Sequence, residues 1–132
     1  MKNVHAELGT CFANTCVTHP RLAAAMVGTL IKGLGQDKVV WGTDSVWYGS
    51  PQWQIEALRR LEIPEDMQKK HGFKPLGPAD GIVKGAIFAG NAAKHYKLEP
   101  KTAQNALDAD DISAMRTHWA GHRSNLRYGY VA

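Results

Sequence analysis

Polarity alternates over Asn3-Val-His-Ala-Glu-Leu8, with Val4, Ala6 and Leu8 on one face. A period of two predicts a strand of about six residues. Gly9 to Val17 is polar and rich in Gly, Asn and Thr, which predicts a loop. Thr18 is placed to cap the next helix, and Pro20 suits its first turn because it has no N–H to leave unpaired. Leu22, Met26, Val27, Leu30, Ile31 and Leu34 then fall on one helical face, with Gly33 and Gly35 as stop positions. The apolar run Val39-Val-Trp41 meets Gly42 and predicts a second strand. Strand, helix, strand is a βαβ unit, and its crossover helix implies that the two strands are parallel.

Beyond Asp44 the pattern turns helical. Gln52 to Leu61 predicts a helix opened by Ser50 and Pro51. Ile63 to Met67 predicts a short one whose first-turn acids favour the helix dipole. Gly72, Pro75, Gly77 and Pro78 make His71 to Asp80 a loop. Gly81 to Tyr96 predicts another helix, with Ile82, Ala86, Ala89 and Ala93 along its packed side. Gly85 and Gly90 weaken it by about 1 kcal/mol each relative to alanine, which implies close packing at both. A last helix is expected near Asp108, with Asp110 and Asp111 in its first turn and Ile112, Met115 and Trp119 at helical spacing. The fold class is therefore α/β: about two parallel strands with a crossover helix, followed by several helices. So small a sheet is marginal on its own and should leave apolar surface exposed along the strands.

Length and charge narrow the function classes. A chain of 132 residues suffices for one core but is about half the ~250 residues of a closed eight-stranded α/β barrel. The net charge of +4 is spread among interleaved acids and bases without the basic stripe that phosphate binding requires, so no nucleic-acid partner is expected. No apolar run approaches the ~20 residues of a membrane span, and the chain enters a strand pattern too early for a leader peptide. No membrane partner and a cytoplasmic location are the expectations. Cys11 and Cys16 fit neither a disulfide framework nor a zinc knuckle and read as reduced, structural thiols.

Asp44 is the candidate for chemistry. A carboxylate at the carboxyl end of a buried strand stands where open sheets and barrels build their crevices. Glu7 ends the first strand on the same rim, either as a second rim carboxylate or as a solvated strand end. Trp47 and Tyr48 are candidates either to line a substrate pocket or to anchor the loop on the helix carrying Trp53. Ser45 lacks the Gly-x-Ser-x-Gly setting of a nucleophile, and the glycines near position 80 form no phosphate loop. His118 and His122, four residues apart, have the spacing of a helical metal chelate but no third ligand, so surface histidines are the plainer reading.

Val39-Val-Trp-Gly-Thr-Asp44, followed about 45 residues later by Ile87-Phe-Ala-Gly-Asn-Ala-Ala-Lys-His-Tyr96, resembles the carboxyl end of the amidohydrolase-related metal-dependent hydrolases. The closing Arg123-Ser-Asn-Leu-Arg-Tyr-Gly-Tyr130 resembles the tail of a subgroup of them. The resemblance implies the C-terminal portion of a (β/α)8 TIM barrel. Residues 1–98 would be its strands seven and eight with their helices, and 99–132 a helical extension. It also implies that Asp44 is a metal ligand or neighbour that helps deprotonate the attacking water, with Trp47 and Tyr48 near a small carbonyl-type substrate that is hydrolysed or decarboxylated. The implied cofactor is a divalent metal, zinc foremost, in the complete fold, with none required of this chain alone. A homo-oligomer or a complementing barrel chain is the implied partner. The family's His-x-His and its first six strands are missing here, so the isolated chain is expected to be inactive. A non-catalytic helical module that assembles with another chain is the competing reading.

Overall fold

The computed structural model describes residues 3–98 and 111–121. Strand β1 (Ala6–Glu7) lies parallel to β2 (Val39–Val40), with Ala6 opposite Val39 and Glu7 opposite Val40. One further ladder bond, Leu8 N–H to the Val40 carbonyl at 3.2 Å, ends the pairing. The α/β reading and the parallel order hold, but the strands are far shorter than the alternation predicts and the chain is mostly helical.

The segment expected to be a loop is instead helix α1 (Gly9–Thr15). Leu8, Phe12 and Cys16 recur every four residues, and all three are buried. Burial of that stripe outweighs the weak helix propensity of Gly, Thr and Asn. The hydroxyls of Thr15 and Thr18 fold back onto the carbonyls of Cys11 and Asn14, both at 2.7 Å. Thr18 thus bonds to the helix before it and does not cap the next.

Helix α2 (Pro20–Leu34) is the crossover, and Gly35 ends it with φ 102°. Its buried face is Ala23, Ala24, Val27 and Gly28, flanked by Met26, Leu30 and Ile31, whereas Leu22 is exposed. A 3₁₀ turn (Gln36–Lys38) leads into β2. Helix α3 (Ser45–Tyr48) then precedes α4 (Pro51–Arg60), where the Ser50 hydroxyl accepts from the Gln52 N–H as the sequence predicts. Helix α5 (Glu65–His71) starts with its two acids two residues after the expected start.

The long C-terminal helix runs as α6 (Ile82–Gly85), a π-helical turn (Ala86–Gly90) and α7 (Asn91–Tyr96). Its inward residues are Lys84, Ile87 and Asn91, not the predicted alanine face, and Ile82 is 85% exposed. The difference has a physical cause: two of the three buried residues are polar, and each is buried to make specific bonds. Lys84 donates to the Arg59 carbonyl and to Glu62, both at 2.9 Å. The Asn91 amide donates to the carbonyls of Gln36 and Val39, both at 2.7 Å, and so ties α7 to the start of β2. Close packing at Gly85 is also not found, since a methyl group there would meet nothing within 4 Å.

Together these elements enclose one core, joining Leu8 just after β1 with α1, α2, β2, α4, the π turn, Leu61, Ile63 and Leu76. Trp41 stands at its edge between Phe12 (5.9 Å, edge-on) and Phe88 (4.8 Å). Helix α8 (Asp111–Trp119) carries Ile112, Met115 and Trp119 more than half exposed. The predicted start near Asp108, His122 and the Arg123–Tyr130 tail lie outside the described residues, as does most of the 99–132 extension.

Candidate functional site

The two strands end side by side, and Glu7, the last residue of β1, and Asp44, in the segment after β2, bring their carboxylates to the same place. After β1 the chain turns at once into α1 through Gly9, whose φ is +23°. After β2 it runs through Trp41, Gly42 and Thr43 to Asp44, which adopts a left-handed conformation (φ 46°, ψ 31°). Few side chains tolerate that region, and aspartate is among the ones that do.

Glu7 reaches across to the second strand. A Cβ on Gly42 would sit 1.2 Å from Glu7 Oε1, so the carboxyl group occupies the space that a side chain at position 42 would fill. A Cβ on Gly9 would lie 2.7 Å from Glu7 Oε2 and 3.0 Å from Asp44 Oδ2. The two carboxylates therefore converge over the first turn of α1. The Thr10 hydroxyl donates to Asp44 Oδ2 at 2.5 Å and fixes one oxygen of the pair. Beneath them, buried Gln54 donates its Nε2 to the Thr43 carbonyl at 2.7 Å, which braces the peptide just before Asp44. Its Oε1 is buried and finds no hydrogen-bond partner among the described residues.

The predicted aromatic neighbours divide. Tyr48 is half-buried, and its hydroxyl accepts from Asn14 Nδ2 at 3.3 Å, joining α3 to α1 beside the pair. Trp47 is 80% exposed, and next to it Val46 is 87% exposed, so Trp47 anchors no loop. Both stand on the helix that begins at the residue after Asp44.

Chemically, two carboxylates and a hydroxyl offer hard oxygen donors and one fixed proton acceptor. They do not make a catalytic zinc site, which takes about three protein ligands, commonly with imidazole among them. Among the described residues no three His, Cys, Asp or Glu side chains come close enough to hold an ion. The described histidines are engaged elsewhere: His5 with His95, His19 with the Thr18 hydroxyl, His71 with Phe73 and His118 with Trp119. The donor set present does not fit the zinc centre that the resemblance implies.

Of the two thiols, only Cys16 fits the structural role read from the sequence. Cys16 is buried, and desolvation pushes its pKa up to about 11, whereas Cys11 is exposed. No described helix is long and apolar enough to cross a membrane.

The sequence singles out Asp44 and leaves Glu7 ambiguous between rim ligand and solvated end. It gives no place to Thr10 or Gln54. A usable signal was Gly42, two positions beyond Val40 and on the face where Glu7 needs room. Comparison with protein-family models, curated proteins and solved structures matches this chain to none of them.

Proposed function

We propose that this chain is the C-terminal segment of a metal-dependent hydrolase of the amidohydrolase type, in which Asp44 and Glu7 are acidic groups of the reaction centre. The observation that carries this reading is the convergence of the two carboxylates at the carboxyl ends of adjacent parallel strands. Asp44 is held in a left-handed backbone conformation and bonded by Thr10. Strain of that kind, of order 1–3 kcal/mol, persists where the surroundings over-determine it and clusters at functional sites. In the complete fold a carboxylate fixed through one oxygen would accept a proton from water attacking a small carbonyl-type substrate, and Trp47 would offer that substrate an apolar face. The ligands for zinc would come from outside this chain.

Calorimetric titration with Mn2+ tests the proposal. Weak one-site binding is expected, lost in both Asp44→Asn and Glu7→Gln, with no ester or amide hydrolysis by the chain alone. Binding that survives both substitutions would refute the assignment.

The alternative is a non-catalytic module that assembles with a partner chain. It is favoured by a sheet with, among the described residues, two parallel strands, since parallel strands are ordinarily flanked and covered on both faces. A stable compact monomer in size-exclusion chromatography would count against it.

A further inference from the structure

At the other end of the strands, before β1 and β2 begin, the imidazole rings of His5 and His95 stand with centroids 4.4 Å apart and planes inclined at 57°. They border an open cleft of about 250 Å³ together with Asp37, Lys38, Asn91 and Lys94. We propose that this imidazole pair binds a late divalent transition ion, Ni2+ or Cu2+, at a site separate from the Glu7–Asp44 pair.

The fold sets the pair in place. His5 immediately precedes β1, and its neighbour Ala6 lies opposite Val39. His95 is on α7, one turn beyond Asn91 and so on the same face of that helix. Asn91 bonds the Gln36 and Val39 carbonyls, so the clamp that holds α7 on the start of β2 also holds His95 beside His5. Tyr96, edge-on to His95 with centroids 4.9 Å apart, further limits the freedom of that ring. The two rings are therefore gathered before any ion arrives.

The ring geometry selects the ligand. A metal ion bound to imidazole lies in the ring plane. Two stacked rings share no such point, but planes inclined at 57° meet along a line, and an ion on that line lies in both. With a metal–nitrogen bond of about 2 Å, the ion stands about 3 Å from each ring centre. Ring centres 4.4 Å apart then subtend close to a right angle at the ion. Neighbouring ligands at a right angle are those of tetragonal and octahedral ions, whereas tetrahedral zinc would hold the rings further apart. Imidazole also suits nickel and copper, while magnesium, calcium and manganese favour carboxylate, carbonyl and water oxygen. Among the described residues no third His, Cys, Asp or Glu comes close enough to share the ion, so water fills its remaining positions. Lys38 and Lys94 at the cleft lower the affinity for a cation and Asp37 raises it, which sets the expectation at micromolar binding and no tighter.

The probe is Ni2+, which, unlike Cu2+, does not oxidise the exposed Cys11 thiol. It is titrated into the full chain near neutral pH and followed by calorimetry and by the imidazole ring signals in NMR spectra. One micromolar site is expected. At substoichiometric Ni2+ the rings of His5 and His95 should broaden before those of the other histidines, and Mg2+ at the same concentration should leave them sharp. His95→Gln, at an exposed position of α7, should weaken the site about tenfold or more while circular dichroism stays unchanged, because the chelate is cut to a single ligand. His5→Gln should do the same. Where a variant fails to fold, the order of broadening in the unaltered chain decides alone. Broadening that begins at another histidine, a site that survives either substitution, or an equal response to Mg2+ would each overturn the proposal.

Discussion

Removing the Asn91 side chain should be among the most damaging polar substitutions in this chain. The residue lies on the inward face of the C-terminal helix, 6% exposed, and its amide donates to the carbonyls of Gln36 and Val39 at 2.7 Å. In Asn91→Ala the buried Val39 carbonyl is left without this donor, which costs about 1–3 kcal/mol, and the more accessible Gln36 bond adds about 0.5–1.5 kcal/mol. The vacated volume is small, so a total of about 2–4 kcal/mol is expected. Urea unfolding is the assay. With a slope of about 1–3 kcal/mol/M, the midpoint should fall by roughly 1–2 M at unchanged slope. Asn91→Asp is the sharper variant. Its carboxylate would face two carbonyl oxygens and offer no donor, so near neutral pH it should be at least as damaging as alanine. Part of the stability should return in acid, where a protonated carboxyl regains one donor. A loss below about 1 kcal/mol for Asn91→Ala, or an aspartate variant as stable as wild type at neutral pH, would refute the clamp.

Other expectations rest on the same geometry. Lys84 is buried, and Lys84→Met should keep its packing but strand the Arg59 carbonyl, lowering stability by about 1–3 kcal/mol; half-exposed Glu62 can turn to water, and thermal unfolding would check the cost. Gly42→Ala displaces the end of the flexible Glu7 side chain, so it should cost less than about 1 kcal/mol yet abolish Mn2+ binding; a calorimetric signal equal to wild type would contradict the convergence of the two carboxylates. At pH 8 a thiol reagent should modify Cys11 quickly and Cys16 only on unfolding. Because the Cys16 pKa is raised to about 11, the unfolded thiol ionises first as the pH climbs. The folded state holds the extra proton, so Cys16 makes stability fall through that window, and Cys16→Ala should remove this part of the alkaline slope.

Helices with punctuation at both ends were the legible part of the sequence. Ser50 and Pro51 open α4, Gly35 closes α2, and the Gly/Pro cluster after His71 remains irregular. The parallel strand pair was legible from its crossover. Gly9 to Thr15 was not, because its signal lay in three buried residues, Leu8, Phe12 and Cys16, set among poor helix formers. The face of the last long helix was also hidden, since hydropathy gives no credit to a lysine or an asparagine buried to satisfy carbonyls. At the candidate site Asp44 was legible from its position after an apolar run and a glycine. Its partners were not, because Glu7 and Thr10 reach it through the register of β1 on β2 and the turn at Gly9.

Residue-resolved Mn2+ titration tests the central claim most directly, since paramagnetic broadening reports even weak occupancy at the atoms nearest the ion. The account predicts broadening centred on Glu7 to Thr10 and on Thr43 to Ser45 at substoichiometric Mn2+, absent in Asp44→Asn and in Glu7→Gln. Broadening spread evenly over the surface acids, or centred elsewhere, would mean that the two carboxylates form no site.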